Sequence, residues 1–231
     1  MKRIGSIILA AVLLLTLMGC TRSAAADGSL QADEPQPSPA AAPVGEEDAP
    51  AEANQKSDVL VVYFSRTGEQ YNVGVIEEGN TAIVARMIAA ETGADLFEIL
   101  PTDDHYPLTY NELTDVAKRE QRENARPGYA GQVPDLAPYT AIFIGAPVWW
   151  GDWPMILYTF FETNGDALAG KTLIPFSTHE GSGLSGFDKK LSAACPNSTV
   201  LQGLAIRGAD AQNDRDGVQE KVKAWLSALE Y

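Results

Sequence analysis

Two hydrophobic periods alternate along the chain from Val59 onward, and this alternation constrains the fold more than any other feature. Val59–Phe64 (VLVVYF), Thr140–Gly145 (TAIFIG) and Thr172–Ser177 (TLIPFS) are short runs rich in apolar side chains. Such runs mark strands covered on both faces. Asp95–Leu100 and Thr199–Ile206 read as two more strands. Between them the spacing turns helical. Ile83, Val84, Met87 and Ile88 share a face after Thr81, and Ile156–Glu162 and Leu184–Cys195 are further helical stretches. Val218, Val222, Trp225, Leu226 and Leu229 give a last amphipathic helix. Another helix carries Lys118–Arg122, whose charges are expected on a solvated face. Parallel strands need crossover helices, so residues 58–231 are expected to form an α/β domain with a three-layer, doubly wound, five-stranded parallel sheet. Ligands bind such sheets outside the carboxyl ends of the strands. The loops after Phe64, Gly145 and Ser177 are therefore the informative ones.

The first of these loops opens with the hydroxyls of Ser65 and Thr67 and the permissive Gly68, then breaks off for the eleven residues 69–79. It resumes at Asn80 and Thr81, where a helix start offers free N–H groups and a positive dipole end to an anion. The second loop, from Gly145 to Pro154, carries three tryptophans, Trp149, Trp150 and Trp153. A planar ligand stacked on one of them would account for rings at a solvent edge. The third, Ser177–Gly183, is small and polar, suited to close approach of backbone N–H groups.

Joined across residues 69–79, the first loop reads Ser-Arg-Thr-Gly-Asn-Thr, which resembles the phosphate loop of flavodoxins. The Trp-Trp-Gly and Thr-His-Glu-Gly-Ser-Gly segments strengthen the resemblance, which extends over residues 58–231 and is nearest the short-chain flavodoxins. It implies strand order 2-1-3-4-5 and FMN as cofactor. It also implies a phosphate site built from Ser65, Arg66, Thr67, Gly68, Asn80, Thr81 and Ala82. Pro147, Val148, Trp149, Trp150 and Gly151 would lie beside the flavin ring. Thr178, His179, Glu180, Gly181, Ser182 and Gly183 would approach its polar edge. Residues 69–79 would form a flap with Tyr71 against the ligand, or else a solvated excursion. Arg66 reads better as a solvated arginine than as a phosphate ligand, and His105 as a surface loop residue.

Two functions follow from this resemblance. One is an electron carrier that docks with redox proteins; the other is an FMN-dependent NAD(P)H or quinone oxidoreductase. His179 is the candidate catalytic residue in the second, as a proton donor, and otherwise a hydrogen-bonding loop residue. The loop after the first strand carries neither Gly-x-Gly-x-x-Gly nor a P-loop Gly-Lys-Ser/Thr, which argues against the usual modes of NAD and ATP binding. A serine hydrolase centred on Ser182 would need a Gly-x-Ser-x-Gly elbow that the sequence lacks. A phosphoacceptor receiver would need carboxylates where Ser65 and Ala146 stand.

The N-terminal segment carries separate information. Lys2 and Arg3 precede an apolar run from Ile4 to Met18, which is shorter than the ~20 residues of a membrane-spanning helix. Residues 1–19 are thus expected to be an export signal. Leu17-Met18-Gly19-Cys20 resembles the lipobox of bacterial lipoproteins and implies a lipid-modified Cys20, with an ordinary secretory signal or a short uncleaved anchor as alternatives. Residues 21–57 hold ten Ala and five Pro and few large apolar groups. Residues 20–57 are accordingly expected to be a lipidated cysteine followed by a disordered tether. The formal net charge is -14, and loss of Lys2 and Arg3 makes it more negative. Nucleic acid is disfavoured by such a charge, and partner proteins with basic docking faces are favoured. The extracytoplasmic side of a bacterial membrane is the expected location. Cys195 is expected to be a core residue rather than a nucleophile.

Overall fold

The computed structural model describes residues 57–231. The export signal, Cys20 and nearly all of the expected tether lie outside the described residues. The elements, in chain order, are β1 (Val59–Tyr63), β2 (Gly68–Gln70), β3 (Gly74–Ile76), α1 (Asn80–Thr92), β4 (Asp95–Glu98), β5 (Leu100–Pro101), α2 (Tyr110–Glu123), β6 (Tyr129–Ala130) and β7 (Ala141–Pro147). They continue with α3 (Met155–Thr163), α4 (Gly165–Leu168), β8 (Thr172–His179), α5 (Phe187–Ala194), β9 (Thr199–Val200), β10 (Leu204–Arg207), α6 (Gly208–Asn213) and α7 (Arg215–Ala228).

The central sheet runs β4-β1-β7-β8-β10 with every pair parallel, which is the expected 2-1-3-4-5 order. Successive β1 residues divide between two cores, as a strand with a two-residue repeat must. Leu60, Val62 and Phe64 pack with Ile156, Phe160, Phe161 and Phe187 on one face. Val59, Val61 and Tyr63 pack with Ile83, Val84, Ile88, Val222 and Leu226 on the other. One layer therefore holds α2, α3 and α5, the opposite layer α1, α6 and α7. Gly145 at the end of β7 is required by its neighbour across the sheet. A Cβ there would stand 2.0 Å from the ring of Phe176, its register partner on β8.

The fifth strand is broken, contrary to the continuous Thr199–Ile206 strand expected. Val200 pairs with Leu173 and Leu204 with Phe176, so β9 and β10 are offset by one extra residue against β8. Pro175 lies opposite the break. Its carbonyl approaches Gly203 and so faces that side, and its ring nitrogen has no hydrogen to donate to the ladder there. Asp95–Leu100 also divides, at Ile99. β4 joins the main sheet, while β5 pairs with β6 in a small antiparallel ladder. Cys195 is buried at 3% exposure and its thiol pKa is pushed up to about 11 by burial, as befits a core residue.

Candidate functional site

The two halves of the interrupted first loop meet in space. A Cβ on Gly79 would lie 2.1 Å from Ser65 Oγ and 2.8 Å from the Arg66 carbonyl, so only glycine lets the returning chain pass the outgoing one. Ser65 Oγ then accepts the Ala82 N–H at 3.0 Å, satisfying one of the donors that a helix start leaves open. Between the halves, β2 and β3 form an antiparallel hairpin that pairs Gly68 with Ile76 and Gln70 with Gly74. Its turn holds Asn72 at φ 59°. The hairpin is tied to the segment before α2. Glu69 N donates to Leu108 O at 2.7 Å, and Tyr110 N donates to Glu69 Oε2 at 2.8 Å. Tyr71 stacks on Tyr110 with ring centres 5.5 Å apart.

Arg66 is not the solvated side chain expected. It is 9% exposed and pairs with Asp104 at 2.8 Å. Its Nη2 donates to the Tyr106 carbonyl at 2.6 Å, and the guanidinium lies 5.5 Å from the Tyr106 ring centre. Its Nε is buried without a partner among the described residues. Glu120 is likewise not on a solvated face. It is buried, accepts from the Tyr106 hydroxyl at 3.1 Å and lies 2.7 Å from His105 Nε2. Periodicity missed it because its partners come from the preceding loop.

The second loop is a tight turn. Trp149 and Asp152 exchange backbone hydrogen bonds of 2.9 and 3.0 Å around Trp150 and Gly151, both at positive φ, 51° and 74°. Tryptophan in that region is strained, and several contacts hold it. The Trp150 indole N–H donates to Thr114 O at 2.9 Å, and Lys118 Nζ lies 4.7 Å from its ring centre. Gln121 donates to the Trp150 carbonyl at 3.3 Å, and Lys190 donates to the Gly151 carbonyl. The three tryptophans have separate fates. Trp150 is 51% exposed, while Trp149 is half-buried with its edge against Phe64 and Tyr106. Trp153 is fully core, stacked 3.6 Å from the Phe187 ring centre.

The third loop locks onto the other two. Thr178 Oγ1 meets Thr81 Oγ1 at 2.7 Å, and Thr178 O accepts the Val148 N–H at 2.9 Å. His179 Nδ1 accepts the Gly181 N–H at 2.9 Å, which leaves the proton of the neutral ring on Nε2. Burial, only partly opposed by Glu180, lowers the His179 pKa below the usual histidine value, so the ring is neutral near pH 7. The Glu180 carboxylate is committed to structure. It accepts the Ala209 N–H at 2.7 Å and pairs with Arg207.

These loops surround a single cavity of about 320 Å3, within the range of small-ligand sites. Of the residues the sequence nominated, Ser65, Arg66, Asn80, Thr81, Pro147, Val148, Trp149, Trp150, Gly151, Thr178, His179, Glu180 and Ser182 line it. Thr67, Gly68, Ala82, Gly181 and Gly183 do not. Gly68 is packed against Leu108, Gly181 serves His179, and the Gly183 carbonyl accepts from Ser177. Gln70 and Tyr71, from the segment expected as a flap, also line the cavity, and one wall was not anticipated. Tyr110, Leu113, Thr114 and Ala117 of α2 line the cavity there. Their i, i+3, i+4, i+7 spacing was a legible stripe, masked by the charges that follow it.

Comparison with known proteins agrees with this geometry. A flavodoxin family model matches residues 58–228. Among solved structures, a candidate flavoprotein from Bacteroides eggerthii is 28% identical, with TM-score 0.59 over 76% of this chain and 99% of its own. One from Bacteroides uniformis is 29% identical, with TM-score 0.57 over 73% and 99%. A Lactobacillus acidophilus flavoprotein in complex with FMN is 21% identical, with TM-score 0.53 over 69% and 97%. No match was found among curated proteins. With the sheet order, the converging loops and the family match in agreement, this chain belongs to the flavodoxin family.

Proposed function

We propose that the protein binds FMN and transfers electrons through it. The observation that carries this reading is the convergence of three distant loops on one cavity, with an anion-binding helix start at one part of its wall and aromatic rings at another. The residues present fit the group. The N-terminal turn of α1 has no acidic residue, and Arg66, which lines the same cavity, has a buried Nε with no partner among the described residues. Ser65, Asn80 and Thr81 would hold the phosphate, while Trp149, Trp150 and the β8 loop would enclose the ring. The FMN complex of the Lactobacillus acidophilus flavoprotein supports the choice of ligand. FMN supplies one- or two-electron redox chemistry when bound. The chain's own part is to bind and orient it, and to place a neutral imidazole and apolar walls around it.

The carrier reading is preferred to the oxidoreductase, because the loop between β1 and α1, where a dinucleotide-binding fold carries its glycine fingerprint, has no Gly-x-Gly-x-x-Gly and the acidic charge suits docking to basic redox partners. We further place the protein on the extracytoplasmic side of a bacterial membrane, tethered through lipidated Cys20. Purified full-length protein should carry a yellow chromophore that co-migrates with FMN after release. A colourless, folded protein that ignores added FMN would overturn the reading. Steady NAD(P)H oxidation with quinone by the purified protein alone would replace carrier with enzyme. Fatty-acid labelling that survives in Cys20→Ala would remove the proposed anchor.

A further inference from the structure

We propose that the stacked Tyr71–Tyr110 pair is an aromatic clasp that keeps the flavin in its cavity, an inference that rests on the FMN reading above. The hairpin carrying Tyr71 leaves the sheet from one half of the anion loop and returns as the other half, since Gly68 begins β2 and Gly79 directly precedes α1. Whatever occupies that loop therefore sits at the foot of the hairpin. Tyr110 opens α2, whose cavity-lining face runs on through Leu113, Thr114 and Ala117. Seven residues of helix span about 10 Å, roughly the length of three fused six-membered rings. The pair thus bridges the anion loop and an apolar wall long enough for an isoalloxazine.

Both rings are part of the cavity lining, although Tyr71 is 53% exposed. An isolated hairpin of two three-residue strands is marginal in water. This one is pinned at its base by the Glu69 to Leu108 and Tyr110 to Glu69 bonds, with Gln70 Nε2 donating to Thr67 O at 3.3 Å. Those bonds fix an exposed ring at the cavity mouth, where it covers little core. A second flat ring is what such a surface can stack with, and the flavin is the flat ring the rest of the cavity is built to take.

The test is the rate at which the flavin-loaded full-length protein releases FMN, followed by recovery of flavin fluorescence on dilution. Tyr71→Ala and Tyr110→Ala should each speed release by about three- to tenfold. The double variant should gain less than the product of the two, because either loss breaks the same pair. Tyr71→Phe should restore slow release, since the ring and not the hydroxyl is used. Thermal melts of the flavin-free variants accompany each rate. Release within twofold of wild type in both alanine variants overturns the clasp, and so does a lowered melting temperature with unchanged release, which marks a purely structural stack. If wild type itself takes up no FMN, the functional reading has failed rather than the clasp alone.

Discussion

Thr81 and Thr178 join the start of α1 to the end of β8 through their hydroxyls, 2.7 Å apart and both buried. Ninety-seven residues separate them in the chain, so this bond records the meeting of the anion loop and the β8 loop directly. One hydroxyl must donate and the other accept. Changing a single partner therefore leaves a buried polar group unanswered, whereas changing both removes the need.

Thr178→Val should destabilise the flavin-free protein by about 1–3 kcal/mol, the usual cost of orphaning a buried hydroxyl. Thr81→Val/Thr178→Val should cost less than the two single changes together, because valine matches threonine in shape. Urea unfolding of the four proteins measures both quantities. Strict additivity would mean that the hydroxyls do not bond.

Gly79→Ala should destabilise by about 1–3 kcal/mol through overpacking. Gly79 has φ −67° and ψ 140°, which alanine adopts freely, so the penalty is steric, against Ser65 Oγ and the Arg66 carbonyl. Because those atoms form the anion loop, FMN affinity should fall further than affinity for riboflavin, which lacks the phosphate. Equal losses for both ligands, read by fluorescence titration, would show that the loop does not hold a phosphate.

Much of this site was legible in the sequence, and the gaps share a physical cause. Loops after strands could be placed at one rim because strand ends are set by hydrophobic period and the fold aligns them. Val59–Tyr63, Ala141–Pro147 and Thr172–His179 emerge close to where the pattern put them. What the pattern could not show were contacts whose partners lie far away in the chain. Glu120 looks solvated until the loop carrying His105 and Tyr106 folds over it. Arg66 looks free until Asp104 arrives. Trp153 resembles its two neighbours, yet Phe187 on α5 draws it into the core. The break in the fifth strand depends on Pro175 in the adjoining strand, which no reading of residues 199–206 alone reveals.

Trp150→Gly should separate stability from binding. The change relieves a left-handed tryptophan, worth about 1–2 kcal/mol. It also deletes the exposed indole bond to Thr114, worth about 0.5–1.5 kcal/mol. These nearly cancel, so flavin-free stability should shift by less than about 1 kcal/mol while FMN affinity drops with the lost ring. A large loss of stability in urea would show that the indole's contacts with α2 outweigh the backbone strain.

The two histidines should titrate on opposite sides of the ordinary histidine value, and the sequence contains no others. For His179, burial lowers the pKa and outweighs the raising effect of Glu180, so folding favours the neutral ring. Its contribution to stability is present above the unfolded pKa, near 6.5, and is lost as pH falls through that value towards the lower folded pKa. For His105, burial also works against the charge. The Glu120 carboxylate on Nε2, the Asp103 carbonyl on Nδ1 and the nearby Asp104 outweigh it and raise the pKa. Its contribution is full below the unfolded pKa and is lost as pH rises through the folded one. NMR titration of the ring protons, assigned with His105→Gln and His179→Gln, should give one midpoint above 6.5 and one below. In Glu120→Gln the His105 midpoint should move down while that of His179 stays in place. A His179 midpoint above neutral pH would overturn the assignment and leave the ring at the cavity charged, unable to accept the Gly181 N–H.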